Sequence, residues 1–69
     1  MSEELFDNLN IGDTLKLCGS VTSETSVYGH GTVVHCCENE SHVGPFGNYR
    51  YVYVNNETLS VTREDVCLA

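Results

Sequence analysis

A chain of 69 residues has room for one hydrophobic core and no second, since a domain of this size buries only about 60% of the surface its unfolded form exposes. Ten Asp and Glu stand against Lys16, Arg50 and Arg63, a formal charge of -7. Three scattered cations cannot build the patch that displaces counterions from nucleic-acid phosphates or adsorbs to an anionic membrane, so no direct nucleic acid or membrane binding is expected; the acidic charge reads either as steering toward a protein partner with a basic surface or simply as what keeps the chain soluble.

The chain opens Met1-Ser2-Glu3-Glu4, without the basic start and the apolar run of roughly 7–15 residues that a signal peptide needs. No stretch approaches the ~20 apolar residues of a membrane span. The expected compartment is therefore the cytoplasm. Over Ser2–Leu9 a short helix is predicted: Ser2 caps it, Glu3 and Glu4 suit its positive end, and Leu5, Phe6 and Leu9 share a face that plugs an open end of the core. Residues 1–11 form this N-terminal segment, and Asn10 to Asp13 turn the chain into a β domain over residues 12–68.

From Thr14 the pattern has period two. Leu15, Leu17, Gly19 and Val21 alternate with Thr14, Lys16, Cys18 and Ser20, which predicts a strand half-exposed to water. Thr22 to Ser26 reads equally as a turn or as a strand continuing into a hairpin. Thr32-Val33-Val34-His35-Cys36-Cys37 is apolar on both faces and predicts a central strand covered on both sides. Glu38 to Asn48 has loop composition, and Pro45 bars a central strand there.

Tyr49–Val54 and Leu59–Thr62 are predicted strands joined through Asn55-Asn56-Glu57-Thr58. A two-residue loop at Asn55-Asn56 pairs Val54 with Glu57, Val52 with Leu59 and Arg50 with Val61. One at Asn56-Glu57 pairs Val54 with Leu59 instead. Either register places Val52, Val54, Leu59 and Val61 on one face, the core, and Tyr49, Tyr51, Tyr53, Thr58, Ser60 and Thr62 on the other. A tyrosine ladder flanked by hydroxyls offers large contact area at low entropic cost, although tyrosine is also a good strand former that needs no partner. A final turn and short strand fill Glu64-Asp65-Val66-Cys67-Leu68.

Gly12-Asp13-Thr14-Leu15-Lys16-Leu17, then Gly31-Thr32-Val33-Val34, and Glu57 through Val66 together resemble the rhythm of SH3-like barrels. The resemblance implies a mainly β fold of about five strands, a small SH3-like barrel or a strongly bent antiparallel sheet, with a short N-terminal helix. Family members that bind nucleic acid use basic loops, which this chain lacks. Signalling members bind proline-rich peptides on aromatic grooves, but this chain has no tryptophan and no "Ala-Leu-Tyr-Asp-Tyr"-like segment.

The remaining chemistry is thin. Cys18, Cys36, Cys37 and Cys67 form an even count that alone suggests two disulfides, yet without a secretory leader they are expected reduced, as small packed side chains. The sequons at Asn39 and Asn56 then read as turns. His30, His35, Cys36, Cys37 and His42 are the densest set of zinc-ligand types, with His35, Cys37 and His42 the candidates, but adjacent cysteines on a strand point to opposite faces and the spacing of a zinc knuckle is missing. Cys37 and His35 share a strand face without any sign of an oxyanion hole, so no enzyme activity and no cofactor is expected.

These readings converge on a small acidic interaction module that binds and regulates or inhibits a partner protein; analogy alone with compact acidic viral inhibitors adds a virus-encoded inhibitor of a basic, nucleic-acid-binding site. Its predicted contact residues are Tyr49, Tyr51, Tyr53, Glu38, Glu40, Glu64 and Asp65. The alternatives are a metal- or small-ligand-binding domain using His30–His42, or a homo-oligomeric structural protein associating through a strand edge.

Overall fold

Ser2 adopts an extended backbone and its hydroxyl accepts the Leu5 N–H at 3.2 Å, which starts a five-residue helix, α1 (Glu3–Asp7). In this computed structural model, which describes residues 1–69, eight antiparallel strands follow: β1 (Thr14–Leu17), β2 (Val21–Thr22), β3 (Val27–Tyr28), β4 (Val33–Cys36), β5 (His42–Gly44), β6 (Gly47–Val54), β7 (Glu57–Thr62) and β8 (Val66–Leu68). The fold is mainly β with one short helix, and no helix is long and apolar enough to cross a membrane.

The eight-residue β6 organises the main sheet. One of its edges is paired along its length with β7; the other is shared between β5, which meets Tyr49, and β4, which meets Val52 and Tyr53. β1 joins the far side of β4, and β8 the far side of β1. No bridge joins β7 to β8, so hydrogen bonding does not close into a barrel. A separate hairpin, β2–β3, arises where Thr22–Ser26 was open to two readings: the strand ends at Thr22 and Ser23 takes its own turn, its hydroxyl accepting the Ser26 N–H at 2.9 Å.

At the β6–β7 turn the first of the two expected registers is realised. Asn55 and Asn56 both take the left-handed conformation (φ 49° and 64°), as a two-residue turn matched to strand twist requires, and Val54 pairs with Glu57. The inner face then carries Val52, Leu59 and Val61 into a core completed by Phe6, Leu9, Leu15, Leu17, Val34, Cys36 and Val66.

Several expectations are corrected. Leu5 is exposed; only Phe6 and Leu9 of its helical face reach the core, because five helical residues bury less than two turns. The alternation that starts at Thr14 breaks after Leu17, where the chain bends toward the separate hairpin. The central strand β4 is covered on one face only: Val34 and Cys36 are buried, whereas Val33 and His35 are exposed. Its apolar outer residues had suggested cover that no element supplies. Glu38–Asn48 is not all loop, since β5 and the start of β6 form a hairpin around Pro45-Phe46. Pro45 sits in the turn, where its missing N–H breaks no ladder bond, and β5 pairs with β6 alone. Gly47 supplies the required positive φ (111°). A side chain at Gly44 would lie 3.0 Å from both the Gly47 carbonyl and the Tyr49 ring.

Arg50 is the one charged side chain in the core. It faces inward between Val52 and the helix, fully buried. Its guanidinium donates to the carbonyls of Leu9 and Glu38, both at 2.7 Å, and of Phe6 at 3.3 Å, and lies over the Phe6 ring at 5.9 Å. The burial leaves Lys16 and Arg63 as the exposed cations.

Candidate functional site: the outer face of the last hairpin

Because side chains alternate along β6, the strand that sends Arg50 and Val52 inward sends Tyr49, Tyr51 and Tyr53 outward. Tyr51 is 38% and Tyr53 43% exposed, while Tyr49 is half-buried. Across the ladder their partners are Thr62, Ser60 and Thr58. The face is thus a row of phenol rings beside a row of hydroxyls. Tyr49 and Tyr51 meet edge to face at 5.7 Å, and His42 from β5 stacks on Tyr49 at 5.3 Å and meets Tyr51 edge-on at 5.5 Å.

Glu38 ties this cluster to the body. Its Oε2 accepts the His42 Nε2–H at 2.7 Å, its Oε1 accepts the Tyr51 N–H at 3.2 Å, and its main-chain carbonyl accepts from Arg50. The Cys37 thiol donates to the Tyr51 carbonyl at 3.2 Å. These two side chains satisfy Tyr51 where β4 has left the edge of β6 and β5 has yet to join it. The His42 hydrogen bond, against some desolvation, holds the Glu38 carboxyl below its ordinary value, and the neighbouring Tyr49 phenol raises Tyr51.

The other predicted contact residues are dispersed. Glu40 is exposed on the loop before β5. Glu64 is exposed in the turn after β7, on the wall of a crevice that also holds Glu3 and Phe46. Asp65 has a structural task, with its Oδ2 accepting both the Thr62 N–H and hydroxyl at 2.9 and 3.1 Å. The structure therefore gathers Tyr49, Tyr51, Tyr53 and Glu38, leaves Glu40 and Glu64 free at the periphery, and uses Asp65 as a turn cap.

His35, Cys37 and His42 do not converge. His35 contacts the Thr14 hydroxyl at 3.2 Å, Cys37 turns to Tyr51 and His42 to Glu38, and no three His, Cys, Asp or Glu side chains form a ligand set. All four cysteines are free thiols. A hydrogen bond from Cys67 raises Cys18, and burial raises Cys36 and Cys37, which leaves all three weak nucleophiles at neutral pH.

Beside the tyrosines lies a groove of about 700 Å³ between the loop of β2–β3 and the β6–β7 hairpin. Glu57 joins its two walls, accepting the Tyr28 hydroxyl at 2.5 Å and the Thr25 hydroxyl at 3.3 Å. Contacts from Ser23, then Tyr28, hold the Glu57 carboxyl below its ordinary 4.5. With both Glu38 and Glu57 lowered on folding, their stabilising effect is complete above the unfolded value near 4.5 and is lost as pH falls through the lower folded values. The urea midpoint of the protein is expected to decline below about pH 4.5, and Glu57→Gln is expected to flatten that decline; denaturation curves over a pH series provide the check.

Sequence reasoning missed three participants. Arg50 has the same phase as Val52 and Val54, so the alternation itself placed it inward. His42 reads from the sequence only as a candidate metal ligand, because its neighbours depend on a β5 strand hidden in loop-like composition. The groove depended on how Thr22–Ser26 folds. Comparison with protein-family models, curated proteins and solved structures finds no match to this chain.

Proposed function

We propose that the chain is a small acidic protein-binding module that docks on the basic surface of a partner protein through the Tyr49, Tyr51 and Tyr53 face and so regulates or blocks that surface. One observation carries the reading: three phenol rings project from a body whose third cation, Arg50, is buried, so the solvent meets ten carboxylates and only Lys16 and Arg63. Tyrosine is enriched at protein interfaces because its ring is apolar and its hydroxyl can remain paired, and negative potential speeds encounter with a basic partner. Docking over a nucleic-acid or phosphate site would make the module an inhibitor. An SH3-like reading of the fold is supported by the strand order β7-β6-β4-β1-β8, with a long excursion between β1 and β4 and a short turn before β8.

The test is capture by the immobilised chain beside a Tyr49→Ser/Tyr51→Ser/Tyr53→Ser variant, at low and high salt. Retention of a basic protein by the unmodified chain only, and at low salt only, is the expected result. Equal retention by both chains, or retention indifferent to salt, would exclude it.

A further inference from the structure

Along its outer edge β7 has no hydrogen-bonded neighbour. The Asn55-Asn56 turn closes on the hydrogen-bonded pair Val54–Glu57, so alternation gives Leu59 and Val61 their bonds to β6 and turns the N–H and C=O groups of Thr58 and Ser60 away from it. Thr62, next in phase, is occupied: its N–H donates to Asp65 Oδ2 and its carbonyl accepts the Asp65 N–H at 3.0 Å. Thr58 and Ser60 are therefore the stretch of β7 whose main chain is open for pairing.

That stretch lines the groove of about 700 Å³, together with Glu24, Glu57, Tyr51 and Tyr53, and no Lys, Arg or His is present on its walls. Main-chain donors and acceptors along a strand edge recognise an extended peptide. Carboxylates and half-exposed phenol rings recognise a cationic side chain, by charge and through the ring face. We propose that the groove takes a short extended segment of a partner protein, rich in arginine or lysine, which adds to β7 as a strand at Thr58 and Ser60 and lays its cationic side chains toward Tyr51, Tyr53, Glu24 and Glu57. The inference rests on the reading of the chain as an acidic docking module and names the segment it takes. A second copy of the chain is the poorer occupant, because each copy brings a further charge of -7 and another Glu57 to the same edge.

The probe is a capped synthetic peptide of alternating arginine and threonine, titrated into the isotopically labelled full chain and followed by amide chemical shifts. The largest shifts are expected at Thr58 and Ser60. A peptide N-methylated at every residue, which removes the N–H groups facing β7 in either strand orientation, and one with glutamate for arginine are both expected to bind at least about tenfold more weakly. Ser60→Pro removes an N–H that bonds to nothing within the chain and is expected to weaken binding to a similar degree. If that variant fails to fold, Glu24→Lys on the exposed loop serves instead, weakening the arginine peptide and favouring the glutamate one.

Undiminished binding of the N-methylated peptide, shifts confined to α1 or the Phe46 turn, absence of any binding, or dimerisation of the free chain through β7 in sedimentation would each overturn the inference. A salt-sensitive peptide complex away from β7 overturns the groove and leaves the acidic docking reading standing. Peptide pairing at β7, combined with equal protein capture by the tyrosine variant, removes the tyrosine-face reading and the part of the rings in the groove, and leaves the strand pairing with its carboxylates.

Discussion

Arg50→Ala is expected to abolish cooperative folding at room temperature. The guanidinium is fully buried and is the hydrogen-bond donor to the Leu9 and Glu38 carbonyls and a further donor to that of Phe6. Truncation takes the guanidinium donor from the Leu9 and Glu38 carbonyls, leaves the Phe6 carbonyl only its main-chain donors, and opens a cavity beneath the helix, a combination that costs about 3–5 kcal/mol by analogy with broken buried charge networks. A single core in a chain this short supplies a net stability of about the same size. Arg50→Met keeps most of the volume but still removes the donor to the Leu9 and Glu38 carbonyls, so it is expected to be intermediate. Urea denaturation followed by circular dichroism gives the ranking; an alanine variant with an unchanged midpoint would show that the guanidinium contributes nothing net.

Phe6→Ala is the second large effect, about 3–5 kcal/mol for a fully buried phenylalanine. The loss has a particular consequence here. Phe6 forms the floor under the Arg50 guanidinium and its main chain accepts one of that group's hydrogen bonds, so the two residues share one interaction network. The milder pair Phe6→Leu and Arg50→Met is therefore expected to be non-additive in a double-mutant cycle, by at least about 0.5 kcal/mol. Additivity would mean that helix docking and the buried arginine are independent.

Together these contacts explain how so small a sheet holds an aromatic hairpin outward. Arg50 draws α1 and the Glu38 loop against the inner side of β6, and Glu38 in turn reaches around to Tyr51 and His42 on the outer side. The same two residues thus connect the core to the candidate docking face. Disturbing Arg50 would be felt at the tyrosines even though it touches none of their rings.

The last hairpin was legible because its signals agree: period-two alternation, β-branched and aromatic residues, and an Asn-Asn pair able to turn left-handed. Ser2 and the acidic first turn marked α1 for the same reason, since a cap acts locally. Where sequence reasoning failed, long-range geometry decided. Nothing local shows that Val33 and His35 lack a covering layer, as this depends on where β2–β3 swings. The β5 strand was hidden because Gly, Pro and Asn signal turns, and a hairpin that is mostly turn looks like a loop. The inward phase of Arg50 is readable from the alternation but its burial is not, since a charged residue is ordinarily kept outside and only tertiary carbonyls aimed inward make burial tolerable.

In the proposed docking, the phenol rings of Tyr51 and Tyr53 face solvent in the free chain and are covered by a partner in the complex. Photochemically induced nuclear polarisation reports dye access to tyrosine rings and can be recorded on both forms. Strong Tyr51 and Tyr53 signals in the free chain, quenched once the captured protein is bound, are the predicted result; rings silent in the free chain, or equally strong in both forms, would contradict it.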